Sequence, residues 1–186
     1  MQQIYPTSLT PAQYVEQNYH KQVRPPENCP NCGRAHTLEA LTYYRRYVTS
    51  LVDVLRVWVR RFLCRKCRVS VSCLPDFAQP YRAINTATVE AGFSGQTQPR
   101  EVQHWGALIE VYWARFVAHL PVLLRQVGNA LGPVPLQPTA RSFWPQLLRH
   151  CGDLAQATRQ LVHEFHTCLF GTYRCHQRRP LQAAGG

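Results

Sequence analysis

The chain has 186 residues, of which 45% are hydrophobic, with four Trp and nine Tyr; this excludes a disordered tail and allows one ordinary domain or two small ones. Lys and Arg number 21 against 10 Asp and Glu, and the formal charge of +11 points to polyanionic partners, nucleic acid foremost. Residues Met1 to Thr10 have neither the basic start nor the apolar stretch of a secretory signal, and no run reads as a membrane span, so a cytoplasmic protein without a membrane partner is expected.

Residues 1–26 read as a polar N-terminal arm with one short helix, which starts at Thr10-Pro11 and is stopped by Pro25-Pro26. Residues 27–82 contain two Cys-x-x-Cys turns, Cys29-Pro-Asn-Cys32 and Cys64-Arg-Lys-Cys67, separated by 31 residues. Between them, Leu38 to Thr49 and Leu51 to Leu63 are rich in Val, Tyr, Leu and Trp and read as a hairpin that breaks near Ser50. Val69 to Leu74 gives a third strand, ended by Pro75. Residues 83–131 change to helical periodicity: Val102, Trp105, Ile109, Trp113, Phe116 and Leu120 predict an amphipathic helix from 99 to a stop at Pro121. The piece Thr86 to Ala91 before it allows a degenerate helix-turn-helix. Residues 132–141 read as a linker, 142–171 as two C-terminal helices with Asp153 as an N-cap, and 172–186 as a flexible basic tail.

Four thiolates complete the tetrahedral shell of a structural zinc ion and leave no open position for catalysis, so Cys29, Cys32, Cys64 and Cys67 are the expected ligands of one Zn2+. Two disulfides or redox dithiols would need an oxidising compartment or a thioredoxin-like context, and neither is visible. Gly33 follows the first turn, whereas Arg68 stands where a second Gly is expected, a departure that a tight turn tolerates. Cys73 and Cys151 read as small buried hydrophobes. His163, His166, Cys168, Cys175 and His176 also gather metal-ligand types. Their spacing matches no regular module, so they read as structural or surface residues, with His163, His166, Cys175 and His176 as the weaker candidates for a second metal.

Eight basic residues and one acid, Asp53, lie between Arg45 and Arg68. Alternation along a strand sets Arg56, Trp58 and Arg60 on one face, and the first strand interleaves Tyr43, Arg45 and Tyr47 with Tyr44, Arg46 and Val48. Guanidinium groups meet phosphates while rings stack on bases, so Arg45, Arg46, Arg56, Trp58, Arg60, Arg61, Arg65 and Lys66 are candidate nucleic-acid contacts. Ordinary cross-strand packing of Arg on aromatic rings is the plainer reading of the same pattern. Catalysis has little support: no Ser-centred elbow, phosphate loop or clustered carboxylates occur, and Asp53, Asp76 and Asp153 fall in separate segments, so no enzyme is expected.

The run Arg61-Phe-Leu-Cys-Arg-Lys-Cys-Arg-Val-Ser-Val-Ser-Cys-Leu-Pro75-Asp-Phe-Ala-Gln-Pro-Tyr-Arg82, behind Cys29-Pro-Asn-Cys-Gly33, resembles the N-terminal zinc ribbon of bacterial insertion-sequence transposases. More narrowly, it is similar to a transposon-associated prokaryotic zinc-ribbon family. The resemblance covers about residues 27–92 and implies zinc at the four cysteines and a DNA-directed role, in transposition or transcription control. The expected fold is α+β, a small three-stranded zinc ribbon followed by three to five helices, and the expected partner is double-stranded DNA. Two alternatives remain. One is a non-catalytic adaptor that docks a protein through its C-terminal helices; the other is a truncated or degenerate transposase.

Overall fold

The computed structural model describes residues 1–96, 99–131 and 138–172. The chain is α+β, as expected, but its sheet has four strands: β1 (Gln2–Tyr5), β2 (Leu38–Thr49), β3 (Val54–Cys64) and β4 (Ser70–Pro75), in the order β1-β4-β3-β2. Strands β2, β3 and β4 form the expected antiparallel meander, and β1 adds a parallel edge with Ile4 opposite Leu74. The polar look of the arm hides this strand, since its single aliphatic anchor, Ile4, is only 3% exposed. Helix α1 (Pro11–Glu16) starts with the expected Thr10 cap, reinforced by a capping box with Gln13, and a 3-10 turn at Tyr19–Lys21 follows. Together they lay the arm across β3: Tyr14 is buried and its hydroxyl donates to the Trp58 carbonyl at 3.3 Å.

Helix α2 (Thr86–Phe93) starts at Asn85, whose side chain accepts from the Ala87 amide. Helix α3 (Pro99–Val127) runs 29 residues, straight through Pro121. The expected stop there does not occur. Proline removes one amide and frees the carbonyl a turn earlier, at Val117, but both residues lie on the exposed face, where water can satisfy it. Although no run of the sequence reads as a membrane span, the uninterrupted Trp105–Val127 is long and apolar enough to cross a membrane by length and composition. Its residues Tyr112, Phe116, Leu120, Leu123 and Val127 are buried against other helices.

Helix α4 (Ala140–Cys151) and helix α5 (Leu154–His163) follow, and the Asp153 side chain caps α5 by accepting from the Gln156 amide at 2.7 Å. Helix α5 ends at His163, not near Phe170. His166 takes a left-handed backbone (φ 48°), and Thr167–Cys168 and Gly171–Thr172 close a small hairpin, β5 and β6. The linker expected at 132–141 and the tail expected at 172–186 fall largely outside the described residues.

The segment Leu74 to Arg82 joins sheet to helices and is buried almost throughout. Gln79 is fully buried and donates to the Thr86 and Thr158 hydroxyls at 3.1 and 3.0 Å, while its carbonyl accepts from Arg46 at 3.0 Å. Asp76 accepts the Thr7 amide at 2.9 Å, and Arg82 donates to the Phe170 carbonyl at 3.0 Å. One short segment thus ties together the arm, the sheet, α2, α5 and the β5–β6 hairpin. Gly92 permits α2 to meet α3 closely, because a Cβ there would lie 2.6 Å from Ile109.

Replacing Ile4 with Ala should lower the unfolding free energy by about 2–4 kcal/mol, since the side chain fills the core between β1, α1 and β4. Urea unfolding checks this. A change below about 0.5 kcal/mol would mean that β1 does not dock on β4 in solution.

Candidate metal centre and basic face

The two Cys-x-x-Cys turns fold alike because their backbones are closed alike. The Gly33 amide donates to the Cys29 carbonyl at 2.8 Å and the Arg68 amide to the Cys64 carbonyl at 2.9 Å. Cys29 and Cys64 each donate an amide to the residue that leaves the turn, Arg34 and Val69, at 3.0 Å. Both turns need a left-handed residue in fifth place: Gly33 has φ 70° and Arg68 φ 59°. Arg68 therefore adopts the conformation that the missing glycine would have taken, at a cost of roughly 1 kcal/mol.

The four sulfurs lie within 4.8 Å of one another, with Cys29 Sγ to Cys67 Sγ at 3.7 Å and Cys32 Sγ to Cys64 Sγ at 3.8 Å. A tetrahedral ion with metal–sulfur bonds of about 2.3 Å requires sulfurs about 3.8 Å apart, so the donor set fits a zinc ion. Its immediate surroundings favour thiolate at Cys64. Burial alone would push that thiol up, but the Cys67 amide, the Thr37 hydroxyl at 3.2 Å and the Lys66 amide bring it down to about 6. Burial pushes Cys29 up to about 12, so the thiol pair that shares the centre loses its protons unequally. A bound dication would stabilise all four thiolates.

Arg45, Arg56, Trp58 and Arg60 share one face of the sheet, with Tyr43 and Tyr47 between them. They are register partners across β2 and β3: Tyr43 faces Arg60, Arg45 faces Trp58 and Tyr47 faces Arg56. The guanidinium carbons lie 4.4 Å, 4.3 Å and 5.5 Å from those ring centres, and Arg56 also donates to the Tyr47 hydroxyl at 3.0 Å. Such pairs hold flat cations against flat rings, each worth about 0.5–1 kcal/mol at the surface. Among the described residues the one ion pair is Arg65 with Glu39 at 3.2 Å, so no carboxylate neutralises this face.

The remaining candidate contacts lie elsewhere. Arg46 sits on the opposite face beside Val48 and Val57, where it donates to the carbonyls of Gln79 and Arg82, so its guanidinium is directed into the fold. Arg61 also faces that side and donates to the Ser70 hydroxyl at 2.8 Å. Arg65 and Lys66 are exposed at the tip of the second knuckle. Phe62 keeps the face of Arg60 but is only 2% exposed, because Val23 of the arm, Leu38 and the cysteines pack over that end of the sheet; β2 has a bulge opposite it, between Ala40 and Thr42. The arm also reaches this face, which its sequence does not indicate: His20 is buried, its ring 5.2 Å from Tyr43 and 6.1 Å from Trp58.

His163 accepts the Ile4 amide at 3.3 Å through Nε2, which makes it a joint between α5 and β1. His166 lies in the turn after α5, and Cys175 and His176 fall outside the described residues. The described residues hold one metal-ligating cluster, the four cysteines. Cys73 and Cys151 are buried, as expected. The described exposed face of α3 sets Ala107, Val111, Ala114, Val117 and Ala118 among Glu110, Arg115, Arg125 and Gln126, so it is largely apolar with few donors.

These features define an α+β module with four cysteines positioned to hold a metal ion at one end of its sheet. Residues 29–106, which take in both knuckles, the sheet face and the start of α3, match a family described as a domain of unknown function (DUF6431). That match names neither a transposase nor a zinc-ribbon family. No curated protein and no solved structure matches the chain.

The purified chain should carry one zinc per molecule by elemental analysis, and Cys32→Ser/Cys67→Ser should carry none. Chelation should raise amide exchange around residues 28–40 and 62–70, where Val23, Leu38, Phe62 and Val71 pack beside the cysteines, and leave α3 and α4 protected. Exchange that rises equally throughout would contradict a local role for the metal.

Proposed function

We propose that the chain is a zinc-stabilised protein of the cytoplasm that binds double-stranded DNA without catalysing a reaction on it. The supporting observation is the row of three register-paired arginines and rings on β2 and β3, on a chain of charge +11, with no carboxylate among the partners of those arginines. In this reading Arg45 and Arg56, both exposed, contact phosphates, with Arg65 and Lys66 extending the track towards the knuckle. Arg46 and Arg61 leave the contact set because they are committed to partners within the fold. The zinc fixes the ends of the two strands that carry the arginines. A role beside a mobile element or in transcription control rests on the resemblance of residues 27–92 to transposase ribbons.

The acids support binding over catalysis. Asp53 accepts its neighbour's amide in the β2–β3 turn, Asp76 accepts Thr7 and Asp153 caps α5, so each has a backbone task in a different place. The adaptor reading has one observation of its own: a cavity of about 530 Å3 beside Phe93, Ile109, Trp113 and Trp144, on the helical side of the molecule.

Arg45→Ala/Arg56→Ala should weaken binding to a duplex by about tenfold or more and reduce the slope of log affinity against log salt by about 2. Anisotropy titrations over a range of salt measure both. Unchanged affinity and slope would remove the face from the proposal and favour the adaptor.

A further inference from the structure

Where the arm crosses β3, the contact face ends in a cavity of about 690 Å3, walled by Tyr5, Tyr19, Lys21, Arg24, Arg60 and Phe62 among others, and no acidic residue lines it. Its three cations come from three places: the 3-10 turn, the strand-like segment after it, and β3. Lys21 and Arg24 are exposed, whereas Arg60 is held between the rings of Tyr43 at 4.4 Å and Phe62 at 5.6 Å. A guanidinium fixed by rings on the wall of a cavity, beside two exposed cations, complements an anionic oxygen. The field around it is cationic: burial, with Lys21 and Arg60 adding to it, lowers the pKa of neighbouring His20.

The shape narrows the class of anion. Tyr5 and Tyr19 stand 6.5 Å apart by ring centres and form an aromatic wall next to the three cations. The volume suits one small organic ligand. Cations beside rings in a concavity are the arrangement that holds a nucleotide by its phosphate and its base. The arm forms one wall, so a duplex laid on Arg45 and Arg56 meets only the rim, while an unpaired nucleotide can enter. We propose that this cavity receives one unpaired nucleotide at the end of a strand, its phosphate on Lys21, Arg24 and Arg60 and its base against Tyr5 and Tyr19. This rests on the DNA-binding reading above and makes the protein one that prefers a duplex next to a single strand.

The zinc-loaded full chain is titrated with a blunt duplex, with the same duplex carrying a short single-stranded overhang, and with thymidine monophosphate, the last followed by amide NMR. The overhang should bind about tenfold tighter than the blunt duplex, the scale of one stacked base. Lys21→Ala/Arg24→Ala, which changes two exposed side chains, should reduce that preference to within about twofold while keeping most of the blunt-duplex affinity. Arg45→Ala/Arg56→Ala should weaken both duplexes and keep their ratio. Equal wild-type affinity for the two duplexes would overturn the proposal. Failure of any duplex to bind would sink the DNA reading instead; the pocket then stands if thymidine monophosphate shifts the Tyr19–Arg24 amides and falls if it does not. Thymidine monophosphate that binds as tightly as the overhang would replace the strand end with a free nucleotide.

Discussion

Four sulfurs must meet at about 3.8 Å to share one ion, and that requirement sets the geometry of the sheet. Cys64 ends β3 and Leu38 begins β2 opposite it, so joining Cys29 and Cys32 to Cys64 and Cys67 clamps the two strands at one end. The register that follows is what aligns Tyr43 with Arg60, Arg45 with Trp58 and Tyr47 with Arg56. A slip of one residue would turn every arginine of the row to the other face. The four-cysteine cluster is therefore remote from the proposed contact surface, and a metal bound there would still fix its pattern. Arg68 shows how strong the constraint is, since a non-glycine residue accepts a left-handed backbone to complete the second knuckle.

A second tie holds the far end. Arg46 crosses from β2 to the carbonyls of Gln79 and Arg82, and Gln79 reaches Thr158 on α5. The motif Leu74-Pro-Asp-Phe-Ala-Gln-Pro-Tyr-Arg82 thereby has a structural meaning of its own. It is the crossing point of arm, sheet and helices. Gln79 Nε2, the Gln79 carbonyl and the Asp76 carboxylate have partners in other elements, whereas Gln79 Oε1 and Arg82 Nε are buried without one.

The cysteines, the meander and the α5 cap were legible in the sequence because each depends on local spacing: two Cys-x-x-Cys turns, alternation in β2 and β3, and Asp153 ahead of an apolar period. What was not legible depends on contacts between distant segments. Strand β1 has four residues and one aliphatic side chain, and only pairing with β4 makes it a strand. Pro121 reads locally as a stop, but an exposed position lets the helix continue. Arg45 and Arg46 are adjacent and chemically identical; strand alternation separates them, and only the placement of Gln79 and Arg82 shows which one is committed to the fold. Phe62 lies on the same face as Arg60 and is buried because Val23 of the arm and the cysteine cluster cover it. His20 and the arm's cavity could not be seen at all, because nothing in residues 1–26 states that they cross β3.

The central claim is that nucleic acid meets the Arg–aromatic row of the zinc-clamped sheet. Amide and side-chain NMR shifts of the zinc-loaded protein on titration with duplex DNA would locate the contact directly. Shifts concentrated at residues 43–47 and 54–60, with the guanidinium signals of Arg45 and Arg56 among the largest, are predicted. Shifts confined to α3 and α4, or none at duplex concentrations that saturate a basic DNA-binding domain, would contradict it.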